Sequence, residues 1–176
     1  MRLLLVTAGA LLALAGCATG TTTTPVAAPP PVTTSTAPAT TTTPPPLSKP
    51  DAAQRYLAIV KPYNVALERL ETAINSGQPV ATLRTRASEL AAANQEQINQ
   101  LQTTRWPTEI AGPMAELIAE SGKSQQLILQ AAQAKTRSQL VQAVVDGMKH
   151  DGKAPAKVIR DFLELAKYDE RDYGGS

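Results

Sequence analysis

The chain is 176 residues long, with 17 Lys and Arg against 15 Asp and Glu, a net charge of +2, and aromatic residues at 3%. So even a balance, with so few rings, offers no electrostatic footprint for nucleic acid, no polybasic membrane patch and no stacking platform for bases or sugars. A single Cys and a single His exclude a disulfide framework within the chain, a Cys-based zinc site and a His-rich metal site.

Met1-Arg2 is a short charged start, and an apolar run from Leu3 to Gly16 follows it. A membrane-spanning helix needs about 20 apolar residues, so this run is too short and reads as a secretion signal. It closes on Leu14, Ala15, Gly16 and Cys17, which resembles the bacterial lipobox. The resemblance implies cleavage before Cys17, so that residues 1–16 are a lipoprotein signal peptide and the Cys17 thiol carries diacylglycerol. Two or more acyl chains hold a protein stably on a bilayer. The expected location is therefore the outer face of the cell membrane, in the cell envelope, with the membrane engaged through the lipid on Cys17.

Residues 18–48 carry no charge, and 12 of them are Thr and 8 are Pro. Apart from Leu47 there is no large apolar side chain to offset the cost of ordering, so residues 17–48 are expected to be the lipidated Cys followed by a disordered stalk. Pro-Pro-Pro at 29–31 and at 44–46 favours extended geometry, and such a tether reaches on the order of 90 Å at roughly 3 Å per residue. Thr clustered with Pro is also the composition of O-glycosylated stalks.

From residue 49 the apolar period becomes helical, and residues 49–176 are expected to form one domain. Tyr56, Val60, Tyr63, Leu67, Leu70 and Ile74 make the first seam, opened by Ser48, Pro50 and Asp51 and closed by Asn75-Ser76-Gly77. Pro62 lies inside it and is expected to kink the helix. Val80, Leu83, Ala87, Leu90, Asn94, Ile98 and Leu101 repeat the pattern up to Arg105-Trp106-Pro107. Thr108 and Glu109 then open a third helix with Ile110, Met114, Leu117, Ser121, Ile128 and Ala131 on its seam. After Lys135-Thr136-Arg137 comes a shorter helix bearing Leu140, Val141, Val144, Val145 and Met148. His150-Asp151-Gly152 interrupts, and Pro155 opens a last helix with Val158, Ile159, Phe162, Leu163 and Ala166. With no period-two alternation and no hairpin signal, the fold class is all-α. The expected architecture is an up-and-down four-helix bundle whose fourth position is split into two short helices.

Lipobox, Thr/Pro stalk and Ala-rich helical domain, with Trp106-Pro107 between two long helices, are together similar to the small surface lipoproteins of actinobacteria, mycobacteria included. That resemblance implies no known activity.

Counting equal distances from each turn places Asn94 level with Tyr63 and Asn64, with Ser121, and through Ser121 with His150. These five residues form a candidate polar layer across the middle of the bundle. Pro62 and the break at Gly152 fall at the same height. One reading is a small pocket; the other is a register device, since a buried Asn on a seam fixes alignment at some cost in stability. The carboxylate pairs Glu68/Glu71, Glu116/Glu120 and Asp161/Glu164 lie off the seams and read as solvated. No di-iron Glu-x-x-His, calcium loop, nucleophile elbow or phosphate loop is present. The expectation is a non-enzymatic interaction module without cofactor or metal and without a nucleic-acid partner, docking to an envelope protein or wall component. An exposed apolar strip is expected around Phe162, Leu163 and Leu165. The alternative is a carrier of an apolar, lipid-like ligand between the helices.

Overall fold

A computed structural model describes residues 45–166. The expectations placed on Leu14, Ala15, Gly16 and Cys17, and on nearly all of the stalk, concern residues outside this range. Within it the chain is all-helical, without strands: α1 Lys49–Asn75, α2 Val80–Thr103, a 3-10 turn Thr108–Ile110, α3 Ala111–Gln133, α4 Arg137–Met148 and α5 Lys153–Phe162.

Each boundary has a local cause. The Ser48 side chain accepts from the Asp51 N–H at the start of α1, beside a first-turn Pro and an acid at the positive helix end. α1 runs unbroken through Pro62. That proline is exposed, so the Ala58 carbonyl that it deprives of a helical N–H faces water instead of core. Gly77 at φ 73° turns the chain, with Gln78 N–H returned to the Ala73 carbonyl at 3.1 Å. At the far end of α2 the Trp106 indole donates to the Leu101 carbonyl at 2.8 Å, and the ring stands edge-on to Tyr56, centroids 6.3 Å apart. Leu47 N–H donates to the Arg105 carbonyl at 2.9 Å. The last residues of the expected stalk, Leu47 and Ser48, are thus fastened to the helices.

The third helix starts later than expected, because Thr108 and Glu109 are spent on the 3-10 turn. α4 opens with a reciprocal cap: Thr136 accepts from Gln139 N–H while the Gln139 side chain accepts from Thr136 N–H, both at 3.3 Å. α5 ends at Phe162, short of the expected Ala166, where Leu163 and a left-handed Glu164 at φ 56° turn the chain off.

α3 runs antiparallel to α2, and α4 runs antiparallel to α3. Arg84 meets Ala132 while Asn94 meets Ser121, and Gly147 lies on Ser124 while Gly152 lies on Leu117. α1 meets both short helices through side chains: Arg137 donates to the Ile74 and Gln78 carbonyls, and Lys49 pairs with Glu164 at 2.5 Å and sits over the Phe162 ring. The apolar interior is divided in two. One cluster holds Leu70, Leu83, Ala87, Leu90, Ile128, Ala131, Leu140 and Val144; the other holds Tyr56, Ile59, Val60, Leu101, Ile110, Met114, Leu117, Ile159 and Leu163. Val145 and Val158, expected on seams, are each 51% exposed, because their neighbours Val144 and Ile159 take the inward positions a third of a turn away.

Gly152 sits at φ 65°, and a Cβ built there would lie 2.5 Å from Leu117 Cδ1, whereas a Cβ at Gly122 in α3 meets nothing within 4 Å. We expect Gly152→Ala to cost about 1–3 kcal/mol from the backbone conformation and the clash. Gly122→Ala should instead gain about 0.5–1 kcal/mol from helix propensity. Urea unfolding of the two variants, read by circular dichroism, checks both signs.

Candidate functional site

Between the two apolar clusters lies a belt of neutral polar side chains on the facing sides of α2 and α3. Asn94, Gln97, Ser121, Ser124 and Gln125 are all buried, Asn94 to 1% exposure. Groups so far from water must bond to one another. The Asn94 amide donates twice, to the Ser121 carbonyl at 3.0 Å and to Gln125 Oε1 at 2.8 Å. Gln97 Nε2 reaches Ser121 Oγ only at 3.5 Å, and Gln97 Oε1 is buried without a partner. Gly147 of α4 faces Ser124, where a Cβ would stand 3.6 Å from the hydroxyl oxygen, an ordinary contact distance.

At the edge of the belt the chemistry becomes ionic. Glu120 takes Lys123 at 2.7 Å and His150 Nδ1 at 2.8 Å on its two oxygens. The hydrogen bond from Lys123, then that from His150, holds the Glu120 carboxyl below the usual range. In the break between α4 and α5, partial burial disfavours the charged form of Asp151. Lys153, through its ammonium at 2.8 Å and its backbone N–H at 3.0 Å, outweighs that and leaves the carboxyl lowered.

Of the five residues expected in a polar layer, the structure brings Asn94 and Ser121 into direct contact. His150 reaches the same height but is held by Glu120 at the rim. Tyr63 is half-buried against the Leu70–Leu90 cluster. Asn64 is half-buried on α1, outside the hydrogen-bonded set. Gln97, Ser124 and Gln125 were not singled out from the sequence, although they lie three or four positions from Asn94 and Ser121 and so share their faces. Glu120, read as solvated, is the group that fixes His150. Ser121 Oγ is turned to Gln97 and His150 Nδ1 to Glu120, which is not a nucleophile–base arrangement. Among the described residues no three His, Cys, Asp or Glu side chains gather as they would to hold a metal ion.

The hollow near Pro62 opens outward. It is a groove of about 430 Å³ on the flank of α1 and α2, with Pro62, Val65 and Ala66 as its apolar floor and Lys61, Arg69 and Glu89 around it. No helix among the described residues is long and apolar enough to cross a membrane. The chain matches no protein-family model, no curated protein and no solved structure.

Two outcomes follow from the belt. Gln97→Met keeps the length of the side chain and removes the unpartnered oxygen, so stability should rise by about 1–2 kcal/mol; a loss of that size in urea melts would contradict the assignment. The lowered Glu120 carboxyl contributes stability that is present above the usual carboxylate pKa and lost as pH falls through its lowered folded-state value. Glu120→Gln should therefore flatten the fall in melting temperature between about pH 5 and pH 3. An unchanged slope would mean that the pair adds nothing.

Proposed function

We propose that this chain is a lipid-anchored cell-envelope protein. In this reading its helices form an up-and-down four-helix bundle, with α4 and α5 in series in the fourth position, and the bundle is a non-enzymatic interaction module. The anchor rests on Leu14-Ala15-Gly16-Cys17. Support for the bundle comes from the antiparallel succession of α2, α3 and α4 and from the contacts of α1 with both α4 and α5, through Arg137 and Lys49.

The observation that carries the functional reading is the way the interior is filled. Leu70, Leu83, Leu90, Leu101, Ile110, Leu140 and Ile159 are fully buried. Small Ala87 and Ala131 sit in one cluster with Leu83, Leu90, Ile128 and Leu140, so small residues interdigitate with large ones. That favours recognition on the outside over an apolar ligand carried between helices. The docking face is not the one expected from the sequence. Leu163 is buried at 4% exposure and Phe162 and Leu165 pack half-buried against its cluster, because α5 turns its strongly apolar side onto α1 and α3. The outer features are the groove at Pro62 and the exposed Leu129, Val145 and Val158.

The anchor is tested by Cys17→Ala in the native host. The wild-type chain should sediment with membranes and label with a fatty-acid analogue, whereas the variant should lose the label and leave the membrane fraction. A variant that stays in the membrane fraction would overturn the anchoring. Native mass spectrometry of wild-type chain from envelope extracts tests the carrier alternative, since co-purifying mass released on denaturation would favour it.

A further inference from the structure

Lys61 and Arg69 flank the groove, and neither has an ion-pair or hydrogen-bond partner within the described part of the chain. The acid on the opposite wall does not neutralise them, because Glu89 is occupied by Arg86 at 2.7 Å. The two cations are eight residues apart on one helix, about 12 Å along its axis at 1.5 Å per residue, and Val65 lies midway on the same row. We propose that this groove binds an extended segment of a partner protein carrying two carboxylates about 12 Å apart, a proposal that rests on the interaction-module reading. In a β-extended chain alternate side chains share a face and the rise is about 3.3 Å per residue, so carboxylates at i and i+4, about 13 Å apart, meet both cations. The side chain between them lies on Val65 and Ala66. A uniformly anionic surface fits less well, because Glu89 stands in the same groove.

The test uses the full chain with two capped probe peptides, Gly-Glu-Thr-Leu-Thr-Glu-Gly and its counterpart with both Glu replaced by Lys. The Val65 and Ala66 methyl resonances should shift with the acidic peptide and stay still with the basic one. Raising salt should weaken the binding, since exposed charges are screened. Charge reversal of both cations, Lys61→Glu with Arg69→Glu, should weaken it at least tenfold and confer binding of the basic peptide; both positions are exposed. Equal response to the two peptides, or none, overturns the proposal. So does binding of phosphatidylglycerol vesicles with the same dependence on Lys61 and Arg69, which would make the groove a lipid contact. Photo-crosslinkers at Val65, Leu129, Val145 and Val158 in living cells separate the two levels. Capture from the other positions but not from Val65 overturns the groove and leaves the module reading standing, whereas no capture from any of the four overturns both.

Discussion

The pair of hydrogen bonds from Asn94 to Ser121 and Gln125 is the constraint on which the rest of the structure depends. It ties the middle of α2 to the middle of α3 at a point where apolar packing would tolerate sliding. Satisfied amides in a low-dielectric interior bond strongly, and the same interior penalises any misalignment that leaves them unpaired. With that level fixed, Leu90 and Ile128 fall into one apolar cluster and Leu101 and Leu117 into the other. The belt is a boundary between two cores, and its one defect is Gln97 Oε1.

The alignment of α2 with α3 determines where the remaining elements end. The break between α4 and α5 falls beside the belt: Gly147 lies on Ser124, His150 is held by Glu120, and Gly152 passes Leu117 in a left-handed conformation. α5 is thereby free to cover the second cluster with Ile159 and Leu163. On the flank of α1, exposed Pro62 and its neighbours line the groove. In the proposed reading this groove holds another chain on the surface of a packed domain, and a long tether of the kind expected ahead of Leu47 would raise the local concentration of such a domain.

Much of this was legible in the residues. The seam through Val80, Leu83, Ala87, Leu90, Asn94, Ile98 and Leu101 is buried from Leu83 onward, with Val80 half-buried at the helix start, because a helix with one apolar stripe has only one way to hide it. Counting from the Trp106-Pro107 corner placed Asn94 beside Ser121, since short turns leave little freedom in register. What escaped were partners that depend on two helices at once. Gln97 and Gln125 look like surface residues until the facing helix is in place, and Glu120 looks solvated until His150 arrives from the next element. The apolar side of α5 looked unpartnered in sequence for the same reason: α3, on which it packs, and the α1 residues that share its cluster stand far earlier in the chain. Pro62 is expected from the sequence to kink α1, and the helix continues through it, because an outward-facing proline costs a helix one hydrogen bond and need not end it.

The central claim is that Asn94 and Gln125 are energetically coupled and thereby fix the two central helices. A double-mutant cycle with Asn94→Ala, Gln125→Ala and the double variant, each unfolded in urea, tests it most directly. The account predicts a coupling energy of about 1 kcal/mol or more. Additive single-variant effects, with a coupling indistinguishable from zero, would contradict it and leave the alignment of α2 and α3 to apolar packing alone.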